Sequence, residues 1–387
     1  MTERIYLDWN ATAPLRPEAR AAMAEELGLV GNASSVHAEG RAARYAIEEA
    51  RRRVATLVGA EPEAVTFTSG ATEANVLALT PGLEVGDGRR PSETLFVSAV
   101  EHPSVRSGGR FVPDAVEEVG VDCDGVLDLE DLARQIAQEE RPLVSVMLAN
   151  NETGVIQPIR EIADIVHAAG GILHVDAVQG AGRIDCDINA LQADLMSVSA
   201  HKLGGPQGIG ALIGRGGIHV AEPLIRGGGQ ERSLRAGTEN VAAIAGFGAA
   251  ANAASASRQT EAMRMTRLRD QLETGLRAAT PQPVIFGASA ERLPNTTLFS
   301  VPGLKAETAV IAFDLNGIAV SSGAACSSGK VQPSAVLAAM GVELALARGA
   351  VRVSLGWTTT EADVDRFLGT WIKLSASLLK ERQGLAA

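Results

Sequence analysis

A lysine follows directly on a short apolar segment in the middle of the chain. Leu195, Met196 and Val198 predict a buried strand, and residues 199–202 then read Ser-Ala-His-Lys before a run of glycines and a proline. Burial disfavours the ammonium form of lysine, so a lysine at the end of a buried strand can become a nucleophilic amine. We therefore predict that Lys202 forms a Schiff base. A solvated loop lysine is the alternative, and this segment alone does not separate the two interpretations.

Polar groups also follow four other predicted strands. A Ser-Gly-Ala-Thr-Glu segment at 69–73 enters a helix, where glycine and the N–H groups of a helix N-terminus suit a phosphate. The other three segments are Glu-His-Pro at 101–103, Asn-Asn-Glu-Thr-Gly at 150–154 and His-Val-Asp-Ala-Val-Gln at 174–179. Taken singly, each group also fits a plain structural role as a cap, a turn residue or a buried hydrogen-bonded acid. Because ligands bind at the carboxyl ends of strands in open α/β sheets, we expect the five segments to converge.

The converging groups match the parts that a pyridoxal phosphate site requires. These parts are a Schiff-base lysine, an anionic partner for the pyridine nitrogen and a phosphate cradle. Asp176 would keep the pyridine nitrogen protonated, and His102 would stack on the ring or move protons beside it. A nicotinamide site is disfavoured, because no Gly-x-Gly-x-x-Gly motif follows the first predicted strand.

Alternating strands and helices position these segments. We predict strands at 65–68, 94–99, 118–121, 143–148, 172–175, 195–199 and 210–213. Helices are predicted at 36–57, 73–79, 129–138 and 159–168. The first of these helices is expected to be capped by Ser34 or Ser35. The alternation indicates βαβ units, and therefore an α/β fold with a mainly parallel seven-stranded sheet and helices on both faces.

The pattern changes after Gly214 and indicates a smaller α+β lobe. A glycine-rich loop precedes two predicted helices at 241–254 and 260–278. Predicted strands at 284–286, 296–300 and 351–355 and a last helix from about residue 360 complete the chain. We predict a large domain over residues 14–257 and a small domain that combines residues 1–13 with 258–387.

Composition and charge restrict the classes of partner. The 387 residues carry a formal net charge of −11 and no basic run, which argues against a nucleic-acid partner. The first residues lack the pattern of a signal peptide, and the alanine-rich segment at 241–254 favours a packed helix over a membrane span. Cys123, Cys186 and Cys326 form no Cys-x-x-Cys pair, which fits a reduced cytoplasmic compartment and indicates no zinc site.

Six motifs in this order resemble the successive signatures of cysteine desulfurases. They lie at residues 8–14, 68–75, 101–103, 149–154, 174–179 and 199–202. The similarity continues through 227–232, 235–240, 321–328 and 348–356, so that it spans essentially the whole chain. Cysteine desulfurases belong to the class V branch of the fold-type I pyridoxal-phosphate enzymes. The resemblance therefore implies that fold, pyridoxal 5′-phosphate as the cofactor, and the conversion of L-cysteine to L-alanine.

The resemblance also implies roles at the cofactor ring. Lys202 would bind the cofactor as a Schiff base, and Asp176 would bind its pyridine nitrogen. His102 would stack over the ring, Gln179 would bind the ring hydroxyl oxygen, and Asn151 would lie beside it.

Further implied roles concern the phosphate and the substrate. The implied phosphate contacts are Ala71, Thr72, Ser199 and His201. Thr238 is expected to reach the phosphate of the neighbouring subunit, which makes a homodimer part of the site. Arg352, together with Asn151, would bind the substrate carboxylate through the planar guanidinium group.

The segment at 321–330 supplies the implied nucleophile. Every residue from 321 to 329 is small, so we expect the segment to be mobile and Cys326 to be exposed and reactive. Cys123 and Cys186 lie beside aspartates, whose charge opposes thiolate formation. The resemblance implies that Cys326 attacks the sulfur of bound cysteine, leaving an enzyme persulfide and releasing alanine. A sulfur-acceptor protein such as an iron–sulfur scaffold would take that sulfur. The resemblance predicts no firm metal site, with Cys326 at most a transient iron–sulfur ligand.

Two departures from the family pattern and three alternatives stay open. Trp9 stands where the family commonly has a smaller polar residue, and Leu-Gly-Gly at 203–205 replaces an aromatic-containing run, which bears on substrate preference. A selenocysteine lyase or β-lyase of the same fold would not need the Cys326 segment on every substrate. A non-catalytic scaffold for sulfur assembly would not need Lys202, and the intact set of site residues argues against it. Finally, Cys326 itself could be a spare thiol in a linker.

Overall fold

The computed structural model describes residues 4–85, 93–216, 218–220, 222–323 and 334–380. Its largest element is a seven-stranded sheet, whose strands are numbered here in chain order. They are β1 (Val65–Thr68), β2 (Leu95–Ser98), β3 (Val116–Val119), β4 (Leu143–Met147), β5 (Ile172–Asp176), β6 (Leu195–Ser199) and β7 (Gly210–Gly214). All seven predicted strands are present, and the largest displacement is that of β3, which begins two residues earlier than predicted.

The α-helices surround this sheet and continue beyond it. In chain order they are α1 (Pro17–Leu27), α2 (Ala38–Leu57), α3 (Ala71–Ala78), α4 (Pro103–Arg106), α5 (Leu129–Ile136), α6 (Ile159–Ala168), α7 (Val241–Ala278), α8 (Ala306–Leu315), α9 (Ala335–Ala339), α10 (Leu344–Ala347) and α11 (Glu361–Lys380). Short 3₁₀ turns lie at Pro62–Ala64, Pro113–Ala115 and Ala200–Lys202, and a turn with positive φ angles lies at Gln230–Ser233.

The sheet has the strand order β1-β7-β6-β5-β4-β2-β3. β7 is antiparallel to both of its neighbours, and the other pairs are parallel. Both faces are covered, since Met196 packs in one core cluster with Ile47 of α2, whereas Leu195 packs in another with Leu77 of α3. Burial on both faces explains why β6 is apolar at neighbouring positions. The predicted α/β fold with a mainly parallel seven-stranded sheet is confirmed.

The cap of α2 differs from the prediction. His37, and not Ser34 or Ser35, is the N-cap, and its Nδ1 atom accepts a hydrogen bond from the Gly40 N–H at 3.3 Å. The serines lie earlier because Asn32 starts a turn, in which its side chain and its carbonyl accept hydrogen bonds from the two serine N–H groups. The local turn therefore delays the start of the helix.

The two helices predicted at 241–254 and 260–278 are one continuous helix, α7. The polar segment between them contains neither glycine nor proline, so the helix is not interrupted there. Ser257 donates a hydrogen bond to the carbonyl of Ala253 within the helix, and Arg258 pairs with Asp185. At about 1.5 Å per residue the 38-residue helix is about 57 Å long.

A second sheet follows the large one in sequence. Its strands are β8 (Val284–Ile285), β9 (Thr296–Ser300), β10 (Ser321–Ser322) and β11 (Val351–Ser354). They are antiparallel in the order β8-β9-β11-β10, which confirms the three strands predicted here and adds β10. Two short strand pairs lie outside these sheets. Ile5–Tyr6 is parallel to Ile318–Ala319, and Leu83–Val85 is antiparallel to Ile218–Val220.

An aromatic cluster fills the core of this second lobe. Phe313 stacks on Phe367 with ring centroids 4.9 Å apart, and Phe299 meets Trp371 edge-on at 5.1 Å. Few aromatic residues occur in the chain, and this cluster concentrates four of them in one buried site.

Helix α7 connects the two cores. Phe247 packs with the large sheet, whereas Leu268 and Leu272 pack with the second lobe. The N-terminal segment contributes Ile5 and Leu7 to the second core. These contacts are consistent with the predicted division of the chain into a large and a small domain. The domain boundary at residue 257 stays a prediction. Within the described ranges, no helix is both long and apolar enough to cross a membrane.

Candidate active site

A cavity of about 630 Å³ lies at the carboxyl ends of the parallel strands. The predicted site residues that line it are Ala71, Thr72, His102, Asn151, Asp176, Gln179, Ser199, His201, Lys202 and Arg352. Thr238 does not line the cavity and is exposed, and Cys326 lies outside the described residues. The expected convergence of five strand ends is therefore confirmed as a matter of geometry.

Lys202 lies in the 3₁₀ turn that follows β6 directly. Its Nζ atom donates hydrogen bonds to the carbonyl oxygens of Asn10 at 2.6 Å and Ala11 at 2.9 Å. Those carbonyls belong to a segment that is itself fixed, because the Asn10 side chain donates to the Asn151 carbonyl and to Thr296. The amine is thus directed into the cavity wall, unlike that of a solvated loop lysine.

Asp176 ends β5 and is only 5% exposed. Its Oδ1 atom accepts from the Val178 N–H at 3.0 Å, and its Oδ2 atom accepts from Nδ2 of Asn75 at 2.9 Å. These two hydrogen bonds stabilise and orient the carboxylate at the cavity.

His174 lies two residues before Asp176 on the same side of β5 and is fully buried. Its ring nitrogens contact the hydroxyls of Ser145 at 2.8 Å and Ser197 at 2.9 Å. Burial lowers the pKa of His174 to about 4, so the ring is neutral at physiological pH. His174 supports the sheet beneath the site and does not line the cavity.

His102 is both a helix cap and a cavity residue. It is the N-cap of α4, and its Nδ1 atom accepts from the Ser104 N–H at 3.2 Å and contacts the Ser104 hydroxyl at 2.8 Å. Burial and the charge of Lys202 lower the pKa of His102, and the charge of Asp176 opposes this effect. The preceding Glu101 is buried, and burial together with Asp176 raises the pKa of its carboxyl well above the ordinary value.

The loop between β1 and α3 forms another wall of the cavity. No side chain caps α3, whose first residues are Ala71 and Thr72. Gly210 of β7 allows the close approach of this loop, since a Cβ atom at position 210 would lie 2.7 Å from the Gly70 carbonyl carbon and 2.9 Å from the Ala71 nitrogen. His201 also lines the cavity, and burial and nearby cations lower its pKa to about 4. The wall therefore offers N–H groups and hydroxyls to an anion.

Arg352 lies on β11 and reaches the cavity from the second lobe. It is 3% exposed and donates to the Asn151 carbonyl at 2.9 Å and to Oδ1 of Asp8 at 2.8 Å. Its Nε atom is buried and makes no hydrogen bond within the described part of the chain. Gln179 is also buried, and its Nε2 atom donates to the Asn10 carbonyl at 3.0 Å.

Two of the three cysteines lie among the described residues. Cys123 is exposed, and Cys186 is buried. Burial is the main reason that the pKa of Cys186 rises to about 12, and the adjacent Asp185 adds to this effect. The prediction that Cys186 is unreactive therefore gains a stronger reason than the neighbouring charge. No cluster of three or more potential metal ligands occurs in the described ranges.

Sequence reasoning assigned no role to several residues that build the site. Asn10 and Ala11 bind Lys202 through their carbonyls, Asn75 donates to Asp176, and Ser104 contacts His102. Residues 10, 11 and 75 lie inside motifs that the sequence singles out, so the motifs located them but the individual contacts required the fold.

Comparisons with known proteins agree with this geometry. Residues 5–367 match the family described as aminotransferase class-V. A cysteine desulfurase of Cereibacter sphaeroides is 44% identical over 95% of this chain and 94% of its own length, and the cysteine desulfurase IscS of Dictyoglomus turgidum is 40% identical over 94% and 93%. The X-ray structure of a NifS-like protein from Rickettsia africae superposes with a TM-score of 0.87 at 37% identity, covering 97% of this chain and all of that one. The chain thus belongs to the class-V aminotransferase family and, within it, to the cysteine desulfurases, which use pyridoxal 5′-phosphate.

Proposed function

We propose that this cysteine desulfurase binds its cofactor through Lys202 and passes the sulfur of L-cysteine to Cys326. The observation that carries the proposal is the single cavity in which Lys202, Asp176 and the uncapped start of α3 meet. An amine, a carboxylate and a helix N-terminus are the three groups that a pyridoxal phosphate site needs. Each comes from a different strand end, so their coincidence is not a property of one local motif.

The cavity fits this cofactor in chemistry, and its volume of about 630 Å³ lies in the usual range of ligand pockets. Ala71, Thr72, Ser199 and His201 would hold the phosphate group, because they line the same cavity as the α3 N-terminus. When bound, the cofactor supplies an electron sink for the carbon that loses its proton. Asp176 would keep a proton on the pyridine nitrogen, since its carboxylate is already oriented by two hydrogen bonds.

The residues around Arg352 support a site for the carboxylate of L-cysteine. Its guanidinium is held in one orientation by Asp8 and by the Asn151 carbonyl, and the buried Nε atom still lacks a partner among the described residues. A planar guanidinium fixed in this way can donate to a substrate carboxylate. Lys202 and His102 lie within reach of the same cavity and would move protons to and from the substrate carbon.

The sulfur transfer is assigned to Cys326. The Cys326 thiolate would form an S–S bond to the substrate sulfur while the substrate C–S bond breaks. The electron pair of that bond stays on the substrate carbon, which takes up a proton and leaves as alanine. The products are alanine and an enzyme persulfide, and no outside oxidant or reductant is needed. The persulfide must then pass to a sulfur acceptor, which we expect to be a protein of iron–sulfur cluster assembly in the cytoplasm.

A homodimer is part of this proposal, because Thr238 would complete the phosphate site of a second copy. Thr238 is exposed, and its neighbour Glu239 pairs with Arg44 of α2 at 3.4 Å. On α2 and the segment just before it, Tyr45 is 68% and Val36 is 88% exposed. Exposed apolar side chains on the helix that Glu239 contacts, and just before that helix, favour a protein interface there.

The Cys326→Ser variant tests the assignment of the nucleophile. We expect it to keep the yellow colour of the bound cofactor and to lose sulfide production from cysteine, while a Cys123→Ser control keeps both. Alanine release from selenocysteine should be less affected than release from cysteine, because the Cys326 thiol is needed to accept sulfur. Full activity of Cys326→Ser on cysteine would contradict the assignment and favour a lyase that does not use this residue.

A further inference from the structure

Asn75 is a fully buried amide at the start of the second turn of α3, and it contacts two parts of the site. Its Nδ2 atom donates to Oδ2 of Asp176 at 2.9 Å and to Oγ of Ser104 at 2.9 Å. An amide nitrogen carries two hydrogens, so both are used. Asn75 therefore lies between the carboxylate of β5 and the short helix that begins at His102.

The charge of Asp176 determines which end of the amide faces it. If the Asn75 side chain were rotated so that Oδ1 took the place of Nδ2, a carbonyl oxygen would lie about 2.9 Å from a carboxylate oxygen. Two acceptors at that distance repel each other and share no hydrogen. The orientation with Nδ2 toward Asp176 is therefore imposed by the carboxylate.

This orientation in turn determines the direction of the next hydrogen bond. Because the Ser104 hydroxyl accepts from Asn75, its own hydrogen is available to Nδ1 of His102, 2.8 Å away. The backbone N–H of Ser104 points at the same Nδ1 atom and can only donate. With both donors directed at it, Nδ1 carries a lone pair, and in a neutral imidazole the hydrogen then lies on Nε2.

The contacts of Asn75 are not those expected from stability alone. Its Oδ1 atom is buried and has no hydrogen-bond partner within the described ranges. An unsatisfied buried carbonyl costs about 1–3 kcal/mol. A buried amide that leaves its acceptor unpaired and uses both donors is explained by what those donors contact.

We propose that Asn75 is a positioning residue that links Asp176 to His102 through Ser104: it directs the Ser104 hydroxyl to donate to Nδ1 beside the Ser104 N–H, and this second donor favours the Nε2–H form of the ring. Asp176, which would bind the pyridine nitrogen, thereby favours a His102 ring that presents a proton donor at Nε2. The inference rests on the proposed role of His102 beside the cofactor. Its test therefore measures the protonation of the His102 ring directly, in addition to the rate of the reaction.

The experiment is ¹⁵N NMR of the histidine rings in the holoenzyme. The chain has six histidines, so a His102→Gln sample identifies the signals of this ring. In the unchanged protein we expect a pyridine-like Nδ1 and a protonated Nε2. Asn75→Asp keeps the shape but leaves at most one hydrogen at this position. If that hydrogen goes to Asp176, the Ser104 hydroxyl turns to donate to position 75, and Nδ1 keeps only the backbone donor at 3.2 Å. The Nδ1–H form then becomes partly populated, and the His102 signals shift toward it.

Kinetics of alanine formation supply the second readout. In Asn75→Asp we expect kcat to fall by about tenfold or more, with KM for cysteine within about twofold, because a positioned proton donor is lost while substrate binding remains. Ser104→Ala provides a second variant at a half-buried position, in case Asn75→Asp does not fold. It should mix the two ring forms and lower kcat, because one of the two donors to Nδ1 is removed.

Ser107→Ala is the matched control. Ser107 lies at the end of the same short helix, is exposed, and donates only to the Pro103 carbonyl. It should change neither the ring signals nor kcat. Ring signals in Asn75→Asp and Ser104→Ala that match those of Ser107→Ala would overturn the proposal. Full activity of His102→Gln would instead contradict the proposed role of His102, while the ring signals would still decide the role of Asn75.

Discussion

A buried ion pair next to the site gives the sharpest stability prediction. Glu231 and Arg51 have side chains that are 2% and 4% exposed. Each carboxylate oxygen of Glu231 accepts from the Arg51 guanidinium at 2.8 Å, and Oε2 also accepts from the N–H of Phe67 at 2.8 Å. Phe67 lies in β1, so this pair fixes the strand that leads into the loop before α3.

The conformation of the backbone at Glu231 indicates that the pair is strongly held. Glu231, Arg232 and Ser233 all have positive φ angles, of 46°, 55° and 66°. Such angles are unfavourable for residues other than glycine and persist only where other interactions enforce them. The contacts with Arg51 and Phe67 are the interactions that enforce them here.

The predicted perturbation is Glu231→Gln. Three N–H donors point at the carboxylate, and a glutamine offers a single oxygen while placing an NH₂ group against a donor. Breaking one side of a buried ion pair costs about 3–5 kcal/mol. Because Glu48 also contacts Arg51 at 3.1 Å and is partly exposed, we expect the lower end, about 3 kcal/mol of unfolding free energy.

Urea unfolding followed by circular dichroism measures this loss. Glu49→Gln is the matched control, since Glu49 also contacts two arginines but at the surface, and it should cost less than about 1 kcal/mol. We also expect Glu231→Gln to retain cofactor less tightly, because β1 positions residues 69–72. A loss in Glu231→Gln no larger than that of the control would refute this account of the pair.

Two further predictions concern pH and substrate binding. A pKa of His174 that is lowered from 6.5 to about 4 contributes about 3 kcal/mol of stability above pH 6.5, and this contribution is lost as the pH falls toward 4. His174→Gln should therefore flatten the acid limb of the stability curve, measured by urea unfolding across that range, and an unchanged slope would contradict the prediction. Arg352→Lys cannot donate in a bidentate manner and should raise KM for cysteine by about tenfold with the cofactor spectrum retained, whereas an unchanged KM would place the substrate carboxylate elsewhere.

Local patterns in the sequence determined most of the sheet. β1 and β6 lie at the predicted residues, because short apolar runs bounded by glycines and polar residues specify a buried strand almost by themselves. The predictions of secondary structure were wrong where local sequence signals compete. Ser34 and Ser35 are good caps by type, but a turn at Asn32 delays α2, and the polar segment near Ser257 does not interrupt α7 because it contains no helix breaker.

The candidate site was also largely predictable, for a topological reason. In a parallel sheet the carboxyl ends of the strands lie at one edge, so Asp176 and Lys202 had to approach one another once β5 and β6 were recognised. The motifs could not reveal what each side chain binds. Thr238 illustrates the limit, since its proposed partner belongs to a second copy of the chain.

The sequence by itself determined the fold class, the family and the residue types of the site, because periodicity and ordered motifs are local properties. Only the tertiary structure decided how those residues are held. Lys202 is bound by carbonyls 191 and 192 residues away in the chain, and Arg352 is oriented by Asp8 across 344 residues. The direction of the hydrogen bonds from Asp176 through Asn75 depends on the packing of α3 against two separate segments. Contacts of that kind are set by how elements pack, and no window of sequence contains both partners.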